Sequence, residues 1–319
     1  MIGSVDKKVC AVLLLNFVCS VCIVFFNKWL YAKMDFPNLT LTLLHFVCTS
    51  LGLFVCKQLK LFEVKRIPLM QILPLAVTFC GFVVFTNLSL QNNTVGTYQM
   101  GKLLTTPVLI IIQSNFYNVS FSGRIKFSLI PISIGIFINS YYDIKFNVVG
   151  TVFALTGVIV TSIYQVLVKN KQKDLEANSM QLLYYQAPMS SLMLLCLVPM
   201  LEPVFTEGGV FGGGLTAGAL TLALTTGLIA VLINITIFWI IANTSPVTYN
   251  IFGNFKFCST IIGGVVIFHD PIHAYQFLGI LITLSGVALY THEKLRPKPA
   301  EEKSNVEEPE ETIKNKNVV

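Results

Sequence analysis

Charged residues are scarce in this chain: Asp, Glu, Lys and Arg supply only 12% of its 319 residues, where an ordinary globular domain carries about a quarter. That scarcity excludes a soluble enzyme. Acidic residues are missing from every long apolar run, because all 16 carboxylates fall in loops or near the chain ends. Proton coupling through a membrane carboxylate therefore has no residue to carry it. Metal-ligand spacing is missing too. Cys19-x-x-Cys22 has redox or zinc spacing but lies in an apolar run with no second Cys or His pair to complete four ligands. The 8 cysteines sit within or at the ends of apolar segments, where cysteine acts as a small buried hydrophobe, and no disulfide framework is implied. Ser, His and Asp assemble into no hydrolytic spacing. Glu207 to Gly214 is Gly-rich but has no Lys and no phosphate-cradle pattern. No catalytic residue, metal or cofactor is expected.

What is present is apolar sequence, 54% of the chain, with a mean hydropathy of +0.71. A membrane helix needs about 20 mostly apolar residues, and the runs fall at Val9 to Leu30, Phe36 to Cys56, Met70 to Leu90, Val95 to Phe116 and Phe127 to Tyr141. Five more lie at Val148 to Val168, Leu182 to Leu201, Leu215 to Ile241, Pro246 to Phe268 and His273 to Tyr290. The expected fold is an all-α polytopic membrane protein of ten transmembrane helices.

Lys and Arg mark its orientation. With both ends cytosolic, 17 of them lie on that side and only Lys28, Lys33 and Lys145 on the other, as the positive-inside rule requires. Residues 1–8 form a cytosolic N-terminus and 9–292 the helical domain, in halves of about 9–145 and 146–292. Residues 293–319 form a charged, aromatic-free tail that cannot bury a core and reads as disordered. The formal charge of +6 does not signal nucleic acid, since the basic residues occupy short loops beside apolar runs.

Two lysines lie inside the membrane runs, Lys102 in the fourth and Lys256 in the ninth. Lysine at bilayer depth costs about 3 kcal/mol or more and faces a cavity or a partner. No carboxylate is available in any run, so a ligand anion is the counter-ion that remains; snorkelling is the bland alternative, easier for Lys102 than for Lys256. The two runs hold the same ordinal place in two five-helix halves, and both open with Thr-Tyr, Thr97-Tyr98 and Thr248-Tyr249. Five-helix halves have opposite orientation, so this suggests a 5+5 inverted repeat with binding near the midplane. Tyr98 with Lys102 and Tyr249 with Lys256 share helix faces. Asn16, Ser20 and Asn27 form a polar stripe on the first run, open to helix packing or to substrate contact. His45 reads as an anion contact or as a packing histidine.

Asn27-Lys28, Phe36-Pro37, His45 and Thr86-Asn87-Leu88-Ser89-Leu90 run into Tyr98 and Lys102. Later come Tyr184-Tyr185-Gln186-Ala187-Pro188, Ser245-Pro246-Val247-Thr248-Tyr249-Asn250, Gly253-Asn254-Phe255-Lys256, and Gln276 to Gly279 leading into Gly286 and Tyr290. Together, over roughly residues 9 to 292, these resemble the nucleotide-sugar and triose-phosphate translocator family, most closely the orphan subfamily E of solute carrier family 35. The resemblance implies a drug/metabolite-transporter fold in Golgi or endoplasmic-reticulum membranes. It implies exchange of a nucleotide sugar or sugar phosphate for phosphate or a nucleotide monophosphate, and phosphate binding at Lys256. The plastid triose-phosphate branch follows that lysine with arginine, whereas here Phe257 follows it.

The expected function is secondary antiport of a phosphorylated organic anion. Lys102 and Lys256 supply charge, Tyr98, Thr248, Tyr249 and Asn254 supply hydrogen bonds, and Lys28 is a further cation. The expected partners are that small anion and the lipid bilayer, with a homodimer left open. The competing class is a membrane scaffold or trafficking regulator that keeps the fold without transporting.

Overall fold

The structure is a computed structural model that describes residues 7–117, 119–143, 147–202, 216–243, 246–269 and 273–295, with side chains left undescribed at 238, 241–243, 246–252, 254, 294 and 295. The expected Gly-rich loop from Glu207 to Gly214 lies outside the described residues, as does the expected tail beyond Leu295. The described residues fold into helices and contain no strand. In order these are α1 (Lys7–Lys33), α2 (Asn38–Gln58), α3 (Leu69–Asn92), α4 (Val95–Leu103), α5 (Thr105–Phe116), α6 (Gly123–Tyr141), α7 (Val148–Asp174), α8 (Ser179–Leu201), α9 (Ala217–Asn243), α10 (Pro246–Phe268) and α11 (Ala274–Leu295).

Each apolar run becomes one helix except the fourth, which splits into α4 and α5 at Leu104. Pro107 supplies the reason. It has no N–H to donate, and its ring crowds the carbonyl four residues back, that of Leu103, where α4 ends. The Leu104 N–H turns instead to Gly101 O at 3.1 Å. At the far end α11 runs on to Leu295, so the start of the expected tail is helical and Glu293 lies 3.9 Å from Arg124 at the start of α6.

Counting the α4–α5 run as one, 8 spans among the described residues are long and apolar enough to cross a membrane. By that measure α6, which opens with Arg124 and Lys126, falls outside the count, and α10 is measured only over Phe255–Phe268, where its side chains are described. Polarity is arranged inside out. Large apolar side chains such as Met70 (78% exposed), Phe137 (70%) and Leu228 (64%) face outward, while Asn16, Thr42, Ser162, Ser190 and Thr226 are fully buried. In water that surface would aggregate; in a bilayer it is solvated. The chain is an integral membrane protein.

Packing sets which helices can share a site. α6 lies along α11, α3 along α7, α1 along α9, and α2 against both α8 and α9, while α4 packs on α10. The α6–α11 pair is close enough to need glycine: a Cβ at Gly279 would come within 2.7 Å of Gly135 O and 2.8 Å of Asn139 N. Small residues that let backbones approach are how helices associate where lipid removes the hydrophobic drive.

Candidate functional site

α1 is apolar around most of its circumference, so Asn16, fully buried within it, must find partners on other helices. It finds two. Its Nδ2 donates to Thr236 Oγ1 on α9 at 2.7 Å, and its Oδ1 accepts from the Lys256 ammonium on α10. The half-buried Lys256 thus meets a neutral amide at the junction of α1, α9 and α10. Beside it the rings of Phe17 and Phe255 stand 5.2 Å apart and close the same seam. Of the polar stripe on α1, Asn16 therefore serves interhelical bonding. Asn27 is also buried, and its Oδ1 has no hydrogen-bond partner among the described residues.

Lys102 stands one turn after Tyr98, as the spacing of four predicts, and its ammonium lies 4.2 Å from the centre of the Tyr98 ring. The ring face supplies a cation–π contact, while Tyr98 is buried in the cluster that includes Tyr31, Leu41, Leu90 and Val95. Met100, between them, packs with Phe257 and Ile261. The helices that carry Lys102 and Lys256 are therefore neighbours. Thr248, Tyr249 and Asn254 belong to α10, but their side chains lie outside the described residues.

Lys28 takes a different place. Its ammonium donates to the carbonyls of Leu90 at 2.8 Å, Gln91 at 3.1 Å and Asn93 at 2.5 Å, closing the C-terminus of α3. Those carbonyls lack helical partners and carry the negative end of the helix dipole. His45 is buried with its Nε2 2.9 Å from Thr226 Oγ1. The Thr226 hydroxyl proton is already given to Ala223 O at 2.8 Å, which assigns the donor role to Nε2. It is a packing histidine between α2 and α9.

Two carboxylates that the sequence places in connections turn out to be structural. Glu202, just past α8, accepts from Leu39 N at 2.6 Å, Thr40 N at 2.9 Å and Thr40 Oγ1 at 2.7 Å, and so caps α2, whose own N-cap is Pro37 without a side-chain acceptor. Asp143, buried just past α6, accepts from the hydroxyls of Thr94 and Thr97 in the first turn of α4. No local signal marks either role, because donor and acceptor are far apart in sequence. Thr236 was invisible for the same reason: a threonine in an apolar helix usually bonds its own backbone.

A bundle with an apolar exterior, polar side chains inside and a lysine on each of two packed helices is that of a multi-pass membrane protein. The chain belongs to the Triose-phosphate Transporter family, whose family model matches residues 7–291. Among its relatives, the UDP-xylose transporter 1 of Arabidopsis thaliana is 35% identical over 293 residues, covering 91% of this chain and 85% of the relative. The UDP-galactose transporter 1 of the same plant is 28% identical over 277 residues, covering 85% and 82%. Its GDP-mannose transporter GONST5 is 29% identical over 277 residues, covering 85% and 81%. A crystal structure 11% identical to the chain covers 88% of it and 98% of its own chain at a TM-score of 0.56, a likeness of fold alone.

Proposed function

We propose that this protein is a nucleotide-sugar transporter of the Golgi or endoplasmic-reticulum membrane, working as an antiporter. Its substrate is exchanged for phosphate or a nucleotide monophosphate. The observation that carries this reading is Lys256: a cation held between three helices, with the neutral amide of Asn16 among its contacts, in a chain whose apolar runs contain no carboxylate. A phosphate-bearing anion completes the charge balance. The names of the relatives, which speak of UDP-xylose, UDP-galactose and GDP-mannose, support a nucleotide diphosphate carrying a sugar. Lys102 on α4 is the second cation, with Tyr98, Thr248, Tyr249 and Asn254 as hydrogen-bonding contacts. The geometry gives Lys28 to the end of α3, which makes it the weakest of the set.

The helix packing supports ten spans arranged as a 5+5 inverted repeat. Exchanging α1 with α7, α2 with α8, α3 with α9, the α4–α5 run with α10, and α6 with α11 turns the α3–α7 contact into α1–α9. The same exchange turns α2–α9 into α3–α8, and leaves the α6–α11, α2–α8 and α4–α10 pairs in place. Related halves of opposite orientation put the substrate between them.

Exchange follows from charge. An amide orients an ammonium but leaves its charge, so moving the empty carrier between states carries cationic groups through a low-dielectric region, at several kcal/mol per ion. A bound phosphate removes that cost. The test is UDP-xylose uptake by purified protein in liposomes, preloaded with UMP or empty. Uptake should be several-fold faster into the preloaded vesicles, and equal rates would overturn exchange. Lys256→Ala should abolish uptake and Lys102→Ala weaken it; undiminished uptake in the double variant would reject the site.

A further inference from the structure

Asn16 uses both ends of its amide. Its Nδ2 donates to Thr236 Oγ1 at 2.7 Å and reaches Ile233 O at 3.5 Å, while its Oδ1 accepts from Lys256. The orientation of the amide is forced. Thr236 has one hydroxyl proton, and it is given to its own helix, at Leu232 O 2.6 Å away. Its oxygen can therefore only accept from Asn16, so the NH₂ of Asn16 must face Thr236 and the carbonyl must face Lys256. The node is buried: Asn16 is 0% exposed and Thr236 6%.

We infer that Asn16 is a positioning residue for anion binding, seating the Lys256 ammonium in the unloaded carrier as a neutral stand-in for the substrate phosphate. This rests on the reading of Lys256 as the anion contact, and it adds the regulation of that contact. The chemistry explains why an amide occupies the place. An aspartate of the same shape would pair with Lys256 and cancel the charge that attracts the anion, and the incoming phosphate would have to displace a buried carboxylate. Losing the amide would take away the acceptor that Asn16 offers the ammonium and leave the Thr236 oxygen without that donor. An amide holds direction and keeps the charge. Phe255, next to Lys256 on α10, lies with its ring 5.2 Å from that of Phe17 on α1, a second contact across the same seam.

The experiment is titration of UDP-xylose, UDP and inorganic phosphate against detergent-purified protein, read as affinity from the ligand-induced shift in melting temperature. The melting temperature without ligand is recorded separately. Asn16→Asp should hold or raise the ligand-free melting temperature while weakening the best-bound of these probes by about tenfold or more, the scale of one charged hydrogen bond. Thr236→Val keeps the shape but removes the oxygen that orients the amide, and should weaken the same probe by about threefold. A purely structural Asn16 predicts the reverse: lower ligand-free melting temperatures with affinity unchanged, and that result overturns the proposal. Should Asn16→Asp fail to fold, Thr236→Val decides alone, since unchanged affinity there is equally fatal. If Lys256→Ala abolishes the shift while both variants keep wild-type affinity, only the role of Asn16 falls. If none of the probes shifts the wild-type protein, the anion-site reading falls and takes this inference with it.

Discussion

Glu202 shows what a single residue does here when the fold brings it to a distant helix end. Its carboxylate takes two backbone N–H groups and one hydroxyl in the first turn of α2, a helix that begins with proline and has no acceptor of its own. Glu202→Gln retains the shape but loses the charge that strengthens those bonds and opposes the helix dipole. It should cost about 1–3 kcal/mol, measured as a lower melting temperature without ligand, and an unchanged value would deny the cap. The lysines divide by the same kind of logic. Lys28, Lys102 and Lys256 are all cations next to or within apolar sequence, and the fold gives them three carbonyls at the C-terminal end of α3, a tyrosine ring and an asparagine amide respectively. Their place within or beside an apolar run was legible in the sequence. The partner was not, because Asn16 and Lys256 are 240 residues apart.

Helix boundaries at the scale of the element follow the apolar runs closely, since an apolar stretch in lipid can satisfy its backbone only as a helix. The break at Leu104 is the exception, and Pro107 causes it locally. Proline alone does not predict it, as Pro74, Pro131 and Pro188 sit inside unbroken helices. Most helix pairings were not legible; the repeat related only the two lysine-bearing runs, and α4 does pack on α10. Glycine marks the closest pair: a Cβ at Gly279 meets backbone atoms of α6, and one at Gly286 meets Ile132 N at 2.8 Å. Backbone cannot move aside as a flexible side chain can, so Gly279→Ala should destabilise by about 2 kcal/mol. Gly123→Ala, where an added Cβ meets nothing within 4 Å, should be neutral or slightly stabilising. Thermal unfolding of the two variants side by side checks this, and equal melting temperatures would contradict the tight α6–α11 contact.

Orientation belongs to the whole molecule. With 17 basic residues on one side and 3 on the other, both ends should face the cytosol. Protease added to sealed, cytosol-side-out vesicles should then remove a C-terminal tag, and protection of the tag would refute the topology. Membrane residence and the helical runs were determined by the sequence alone, because each follows from composition and spacing acting over about 20 residues. The resemblance to a transporter family was legible as well, from short motifs in a specific order, and the chain does belong to such a family. Tertiary structure alone decided which helices touch, that His45 packs on Thr226, that Glu202 and Asp143 close helix ends, and that Lys256 rests on Asn16. The reason is physical. In lipid the apolar surface of one helix is solvated as well as that of another, so pairing depends on small residues and a few polar bonds matched across large sequence distances, and no local pattern records those matches.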